Sequence, residues 1–289
     1  MNGILITNKY HVSYSFATMK KFLLDAAHKY DIELKLFDNI SIYDYIESSN
    51  YKRPDFVLFF DKDVKLARFL ENKGLKLFNS SESIRICDDK ASTYLHLQNK
   101  GIDMPKTIFS PLIYYHDIAD DYEYIEYILN HTRFPFVYKE CVGSFGQQVF
   151  LVNNKKELLD RISKSGTWPF IVQEFIESSF GKDLRLYVVG DKVIGSIKRE
   201  NTSGDFRANI ELGGVASKYI PSEYEKNIAL KAKEALNLDF CGVDILFGEG
   251  EKRYLCEVNS NAYFVGLNKV LEINVAEYIF EYIKKNISI

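Results

Sequence analysis

The chain has 289 residues, 46% hydrophobic and 27% charged, an ordinary globular composition with room for one large domain or roughly two to three smaller ones. A net charge of −3 excludes the basic footprint of a nucleic-acid or membrane-surface binder, and no window approaches the ~18 apolar residues of a membrane span. The apolar run in MNGILITNKY is too short for a signal-peptide core, so the expected location is cytoplasmic.

In chain order, residues 3–7 (GILIT) predict a short buried strand. A helix near Phe16–Tyr30 follows, with apolar Phe16, Met19, Phe22, Leu23 and Ala26 on one face. Strand Glu33–Phe37, a polar connection and strand Phe56–Phe60 come next, then helix Val64–Lys73 stopping at Gly74 and strand Leu75–Phe78. Continuous apolar strands alternating with helices predict a small parallel α/β unit up to about residue 88. It lacks a G-x-G-x-x-G after its first strand, which argues against a dinucleotide site there. Asn79-Ser80-Ser81-Glu82 has helix-capping character, Asp88–Asn99 is helical, and Asp117–Asn130 forms a further helix.

From Phe134 the texture turns to strands: Phe136–Cys141 and Gln147–Val152 around a glycine turn, helix Lys155–Ser163, then strand Phe170–Glu174. Asp183–Val189 and Lys192–Lys198 make a hairpin about Gly190-Asp191. Beyond the loop through Gly213-Gly214, helix Pro221–Leu236 precedes a second hairpin, Val243–Phe247 with Arg253–Val258, and the chain closes on helix Ala276–Lys285.

The four cysteines show no C-x-x-C spacing and read as free thiols in a reducing compartment. Cys256 is expected on the core face of its strand. The five histidines are scattered, so neither a zinc site nor a histidine triad has support. The many tyrosines and phenylalanines read as packing. Gly143-Ser144-Phe145-Gly146 lies between strands, so it is no P-loop; it is an ordinary hairpin or a backbone cradle for phosphates. Lys139, alternating with apolar Phe136 and Val137, either snorkels outward or meets an anion. Lys198, Arg199, Arg207 and Asn209 are a solvated cluster or face an anionic substrate. Glu257 and Asn259 share a strand face, and a connecting loop with an even number of residues puts Asp244 there too. That oxygen cluster either binds a hard cation such as Mg²⁺ or Mn²⁺ or simply faces water.

Each piece is weak alone, but their order is specific. Asp88-Asp89-Lys90, Lys139 before the glycine hairpin, Gln173-Glu174-Phe175-Ile176, Gly204-Asp205-Phe206-Arg207-x-Asn209, Asp244 and Glu257-x-Asn259 together resemble the ATP-grasp fold, closest to the RimK-like branch of carboxylate–amine ligases. The resemblance runs from about residue 79 to the C-terminus. It implies an α/β (α+β) architecture: a small N-terminal parallel domain at 1–88, then an ATP-grasp domain at 89–289. Within that domain a central lobe (about 89–172) and a C-terminal lobe (about 173–289) clasp ATP.

The resemblance also implies roles. Lys90 and Lys139 hold the phosphates under a mobile flap of Gly143, Ser144, Phe145 and Gly146, with Lys198 also on the ATP side. Glu174 and Ile176 meet the adenine edge within Gln173–Ile176, which includes Phe175, and Asp183 meets the ribose. Asp244, Glu257 and Asn259 carry two Mg²⁺ (or Mn²⁺) ions. Arg207 and Arg185, with Lys139, are catalytic; Arg199, Arg207, Asn209, Ser260 and Asn261 face the substrates. The implied reaction is ATP-dependent amide formation through an acyl phosphate, with glutamate often one partner and a peptide or protein tail often the other. A homo-oligomer, dimer or tetramer, is compatible with it; the competing reading is a nucleotide binder of the same fold without ligase activity. Two departures stand out: Gln148 replaces a flap glycine common in relatives, and Ser260-Asn261-Ala262 replaces the Ser-Pro-Gly turn common in this branch.

Overall fold

The computed structural model describes every residue except 115–117, 119–120, 211–212 and 288–289. Three sheets organise it. The first is parallel, in the order β2-β1-β3-β4, from β1 (Asn2–Thr7), β2 (Glu33–Asp38), β3 (Phe56–Phe60) and β4 (Leu77–Phe78). Its helices are α1 (Tyr14–Lys29), α2 (Ser41–Glu47) and α3 (Val64–Asn72). Every residue of β3 is buried because both faces are covered, which is why FVLFF is apolar throughout. Successive side chains divide between two cores. Val57 and Phe59 pack with Leu66, Ala67 and Leu70 of α3, while Phe56, Leu58 and Phe60 join a cluster that includes Phe280 and Ile283 from the far end of the chain. The parallel sheet therefore shares its core with the C-terminal segment.

α4 (Ser81–Asp88) and α5 (Lys90–Leu97) follow, the first capped by Ser80 and the second by Asp89, whose carboxylate accepts from the Ser92 N–H. The extended backbone at Asp89 breaks what the sequence presents as one helix from Asp88. The second sheet, order β5-β8-β6-β7, is antiparallel and joins β5 (Thr107–Phe109), β6 (Phe136–Glu140), β7 (Val149–Val152) and β8 (Phe170–Glu174). α6 (Tyr122–His131) and α7 (Lys155–Ser165) supply side chains to its core. The predicted start of α6 at Asp117 lies outside the described residues; within them the helix is capped by Asp121. Phe136 and Tyr138 of β6 enter this core with Phe170 and Val172 of β8, so the alternate residues Val137, Lys139 and Gln173 turn to the opposite face.

The third sheet, order β11-β10-β9-β12-β13, is also antiparallel: β9 (Lys182–Val189), β10 (Lys192–Asn201), β11 (Gly214–Lys218), β12 (Phe240–Phe247) and β13 (Arg253–Asn259). α8 (Glu223–Ala235), opened by a Ser222/Glu225 capping box, packs on one face; α9 (Val265–Leu271) and α10 (Val275–Ile287) pack on the other. Four short elements, α2, β5, β11 and α9, go beyond the sequence expectation. No helix among the described residues is long and apolar enough to cross a membrane.

Asn79 locks the first sheet to the third. Its buried amide donates to the carbonyls of Phe240 and Ser260 (both 3.0 Å) and accepts from the N–H groups of Asp239 (2.6 Å) and Phe240 (3.3 Å). Asn79→Ala strands several backbone groups away from water, and a loss of roughly 3 kcal/mol in urea unfolding is expected. A change under 0.5 kcal/mol would show that the junction is held by apolar packing alone.

Candidate active site

A cavity of about 420 Å³ opens where the three sheets meet. From the central sheet it receives Lys139, whose side chain β6 turns away from the apolar core. Lys139 is 7% exposed; its ammonium donates to Gln173 Oε1 (2.6 Å) and approaches Cys256 Sγ (3.7 Å). No carboxylate among the described residues lies within ion-pair distance of it. A buried cation without a counter-ion is costly, so this position suits an anionic ligand. Lys90, at the start of α5, lines the same cavity.

The glycine turn between β6 and β7 crosses the cavity. Phe145 at its tip has φ +59° and stacks on His11 of the N-terminal unit (5.6 Å between rings). Lys62 bonds Ser144 Oγ (3.1 Å) while pairing with Asp88 (2.8 Å). Gln148 packs against Gly143, where any Cβ would collide with its amide, and Gln148 Oε1 is buried without a partner. The flap thus keeps a glycine opposite its departure from the common pattern.

Arg207 is engaged on every side in this structure. Its Nε and Nη2 clasp Asp205 (3.0 and 2.7 Å), and Nη1 donates to the carbonyls of Gly146 (2.6 Å) and Val149 (3.4 Å). It lines the cavity, but Asp205 neutralises it and its open edge ties the flap to the C-terminal lobe. Asn209 sits beside Gly146 on the same wall.

On the floor, β9, β10 and β12 bring four charges together. Arg185 grips Asp244 through Nε and Nη2 (2.7 and 2.6 Å), and Arg199 grips Asp183 in the same way (2.7 and 2.6 Å). A further contact joins Arg199 to Asp244 at 3.1 Å. Register explains it: Asp244 lies opposite Arg185, and Arg199 opposite Asp183. Burial opposes the ionisation of Asp244, but Arg185 and Arg199 together outweigh it and hold its carboxyl down at about 2. Burial pushes Asp183, the other carboxylate of this coupled set, upward. Asp183 thus spends its charge on Arg199 rather than presenting it unpaired to a ribose. Arg199 is 3% exposed and paired with both Asp183 and Asp244.

The β12–β13 hairpin reaches the expected grouping by an unexpected path. Its loop, Gly248–Lys252, has five residues, an odd number that alone would set Asp244 against Cys256. A bulge after Asp244 restores the phase, so Asp244 faces Glu257 and Gly242 faces Asn259. The bulge also brings Cys256 to the cavity beside Lys139, not into the core as parity suggested; burial raises its thiol pKa.

Of the other expected site residues, Gln173, Glu174, Phe175, Ile176 and Asn261 line the cavity. The Ile176 N–H, expected to meet the adenine edge, makes no hydrogen bond with any described residue. Lys198 and Ser260 do not line it. Beside inward-facing Arg199 on β10, Lys198 takes the other face and pairs with Glu200 (2.7 Å). Ser260 is buried and gives its carbonyl to Asn79. Sequence reasoning missed Asn8, His11, Asp61, Lys62 and Tyr263. The signal for Asn8 and Asp61 was positional, since each directly follows a strand of a parallel sheet, where ligand crevices form.

Residues 87–283 match the family described as RimK-like ATP-grasp domain. The chain belongs to that family. An uncharacterised Mycoplasma pneumoniae protein is 33% identical over 262 residues, covering 89% of this chain and 90% of its own. Human N-acetylaspartylglutamate synthase A is 33% identical over 231 residues; the match covers 77% of this chain but 56% of that synthase. The ATP complex of Bacillus anthracis D-alanine–D-alanine ligase has the same fold, with a TM-score of 0.72 at 19% identity over 100% of this chain and 97% of that one.

ATP-grasp ligases generally use ATP with Mg²⁺, and the donor set here can be tested for fit. Neither Glu257 nor the Asn259 side chain makes a hydrogen bond or ion pair with any described residue, and Asn259 Nδ2 is buried. Asp244 already carries two guanidiniums, and no three His, Cys, Asp or Glu among the described residues gather as a metal cage. The residues therefore fit Mg²⁺ that arrives with anionic ligands of its own. In this RimK-like chain the floor depends on its ion pairs: Arg199→Met leaves Asp183 unpaired and should cost about 3–5 kcal/mol of unfolding free energy. Asp183→Asn in the same chain should recover part of that loss; strictly additive losses would dismiss the coupling.

Proposed function

We propose that this chain is an ATP-dependent ligase that joins the amine of glutamate to a carboxylate through an acyl phosphate. Family membership supports ATP-dependent carboxylate–amine ligation, and the name of the human synthase supports glutamate as the amine. The observation that carries the reading is the buried, unpaired Lys139 ammonium facing partnerless Glu257 and Asn259 across one cavity.

In this scheme Lys90 and Lys139 hold the nucleotide phosphates, and the unpaired Ile176 N–H meets the adenine edge. Mg²⁺, when bound through Glu257, Asn259 and the remaining coordination capacity of Asp244, supplies charge neutralisation on the phosphates. A carboxylate is a poor electrophile because its anionic oxygen does not leave. Its attack on the terminal phosphorus makes that oxygen part of a phosphate leaving group and releases ADP. The two lysines spread the charge gathered on the transferred group. The amine nitrogen then adds to the acyl carbon, the C–O bond to phosphate breaks, and a proton leaves the nitrogen, giving amide and phosphate. Arg207 holds the flap down through the Gly146 carbonyl so that water does not intercept the acyl phosphate.

The test is ADP release with ATP, Mg²⁺, L-glutamate and a panel of carboxylates, followed by mass detection of the amide. Lys139→Met should lower turnover by about 10² or more. Lys198→Met, which alters a residue outside the cavity, should leave it within twofold. Nucleotide binding without substrate-dependent ADP release across the panel would overturn the ligase reading.

A further inference from the structure

Asp61 directly follows β3 and lines the cavity from the N-terminal side, 6% exposed. Its side-chain partners are all neutral. Asn8 Nδ2 donates to both carboxylate oxygens (3.1 and 3.2 Å), the Lys62 backbone N–H donates to Oδ1 (2.7 Å), and the Asp63 N–H contributes. Lys62 sends its own ammonium to Asp88 and Ser144 instead. No Lys or Arg among the described residues pairs with Asp61; burial pushes the His11 ring, on which the Asp61 charge acts, down from its ordinary pKa, and burial pushes the Asp61 carboxyl above the usual range.

The position is set by topology. In the order β2-β1-β3-β4, the chain reverses its winding between β1 and β3, and the crevice beyond their carboxyl ends is where open parallel sheets bind ligands. Asn8 and Asp61 stand on its two sides. A second acceptor faces the same cavity: Asn261 Oδ1 is buried and has no hydrogen-bond partner. Its loop meets the N-terminal unit through Tyr263, whose ring packs on His11 (5.6 Å) and Phe16 (5.8 Å).

We propose that this crevice is the subsite for a primary ammonium group, with Asp61 as counter-ion and Asn261 Oδ1 as a further acceptor. The proposal rests on the ligase reading, in which that group belongs to the amine substrate before it loses its proton. An ammonium brings three donors and one charge to a carboxylate that has neutral donors but no counter-ion and to an amide oxygen that has no donor. A divalent metal is disfavoured because the subsite offers a single carboxylate. A guanidinium is disfavoured because Asn8 and Lys62 already occupy the two-oxygen edge that a bidentate fork needs.

Isothermal titration of the full chain, loaded with a non-hydrolysable ATP analogue and Mg²⁺, tests it. The probes are L-glutamate, L-aspartate, L-lysine and β-alanine, each against its fully N-acetylated form. Wild type should bind at least one amine roughly tenfold or more tightly than its acetylated counterpart. Asp61→Asn should abolish that preference while keeping the analogue's Kd within twofold, which certifies the fold. Asp61→Ser carries the same expectation should the asparagine variant fail to fold. An unchanged preference in these variants, or no amine preference in wild type, overturns the subsite. A preference that depends on Asp61 but excludes glutamate sustains the subsite and removes glutamate from the proposed function; turnover with glutamate alongside an unaltered Asp61→Asn does the reverse.

Discussion

The four-charge set of Asp183, Arg185, Arg199 and Asp244 is the constraint on which the site floor depends. Its members come from three adjacent strands and balance to zero net charge, which is what lets them sit in a largely buried position. Each bidentate pair fixes both partners in position and orientation. A one-residue slip of β9 against either neighbour would turn these side chains to the opposite face and leave charges in an apolar core. The ion pairs therefore specify register at least as much as they add stability. Glu257 and Asn259 can then remain without partners in the cavity, because the ion-paired layer does not need their charge or their amide.

The flap belongs to the same economy of position. It touches all three parts of the molecule: His11 and Lys62 of the N-terminal unit, its own strands β6 and β7, and Arg207 of the C-terminal lobe. Arg207, neutralised by Asp205, is better suited to bridging carbonyls than to stabilising a large developing charge. In the proposed scheme the unpaired lysines take that electrostatic task, and the paired arginines take the structural one. Pairing state, more than residue type, separates the two roles.

Much of this could be read in the sequence where one local rule governs the outcome. FVLFF announces a strand covered on both faces, and the capping character of Asn79-Ser80-Ser81-Glu82 announces a helix start that the structure bears out at Ser80. Lys139 stands out because a lysine in phase with cavity-facing residues must be solvated or paired. The short elements escaped because their reasons are tertiary: β11 forms against β10, and seven-residue α9 packs on the C-terminal sheet. Strand parity separates Lys198 from Arg199, but which of the two turns inward is settled by Asp183 across the ladder. The bulge at Cys256 was invisible for a similar reason. An odd loop and an extra residue cancel, so Asp244 met Glu257 although the stated condition, an even loop, did not hold.

Lys139 and Asp61 mark two ends of one problem. Each is a buried charge with only neutral partners, they carry opposite signs, and they enter the same cavity from different sheets. Had the fold needed only stability, joining them or replacing both with apolar groups would have removed the desolvation cost. Held apart, they divide the cavity into a region that favours anions and a region that favours a cation. A phosphoryl donor and an ammonium-bearing acceptor could then occupy it together with little mutual competition. The carboxylate to be activated must lie between them, within reach of the transferred phosphorus and then of the incoming nitrogen. On the proposed reading, charge separation across the cavity sets the order of the two chemical steps in space.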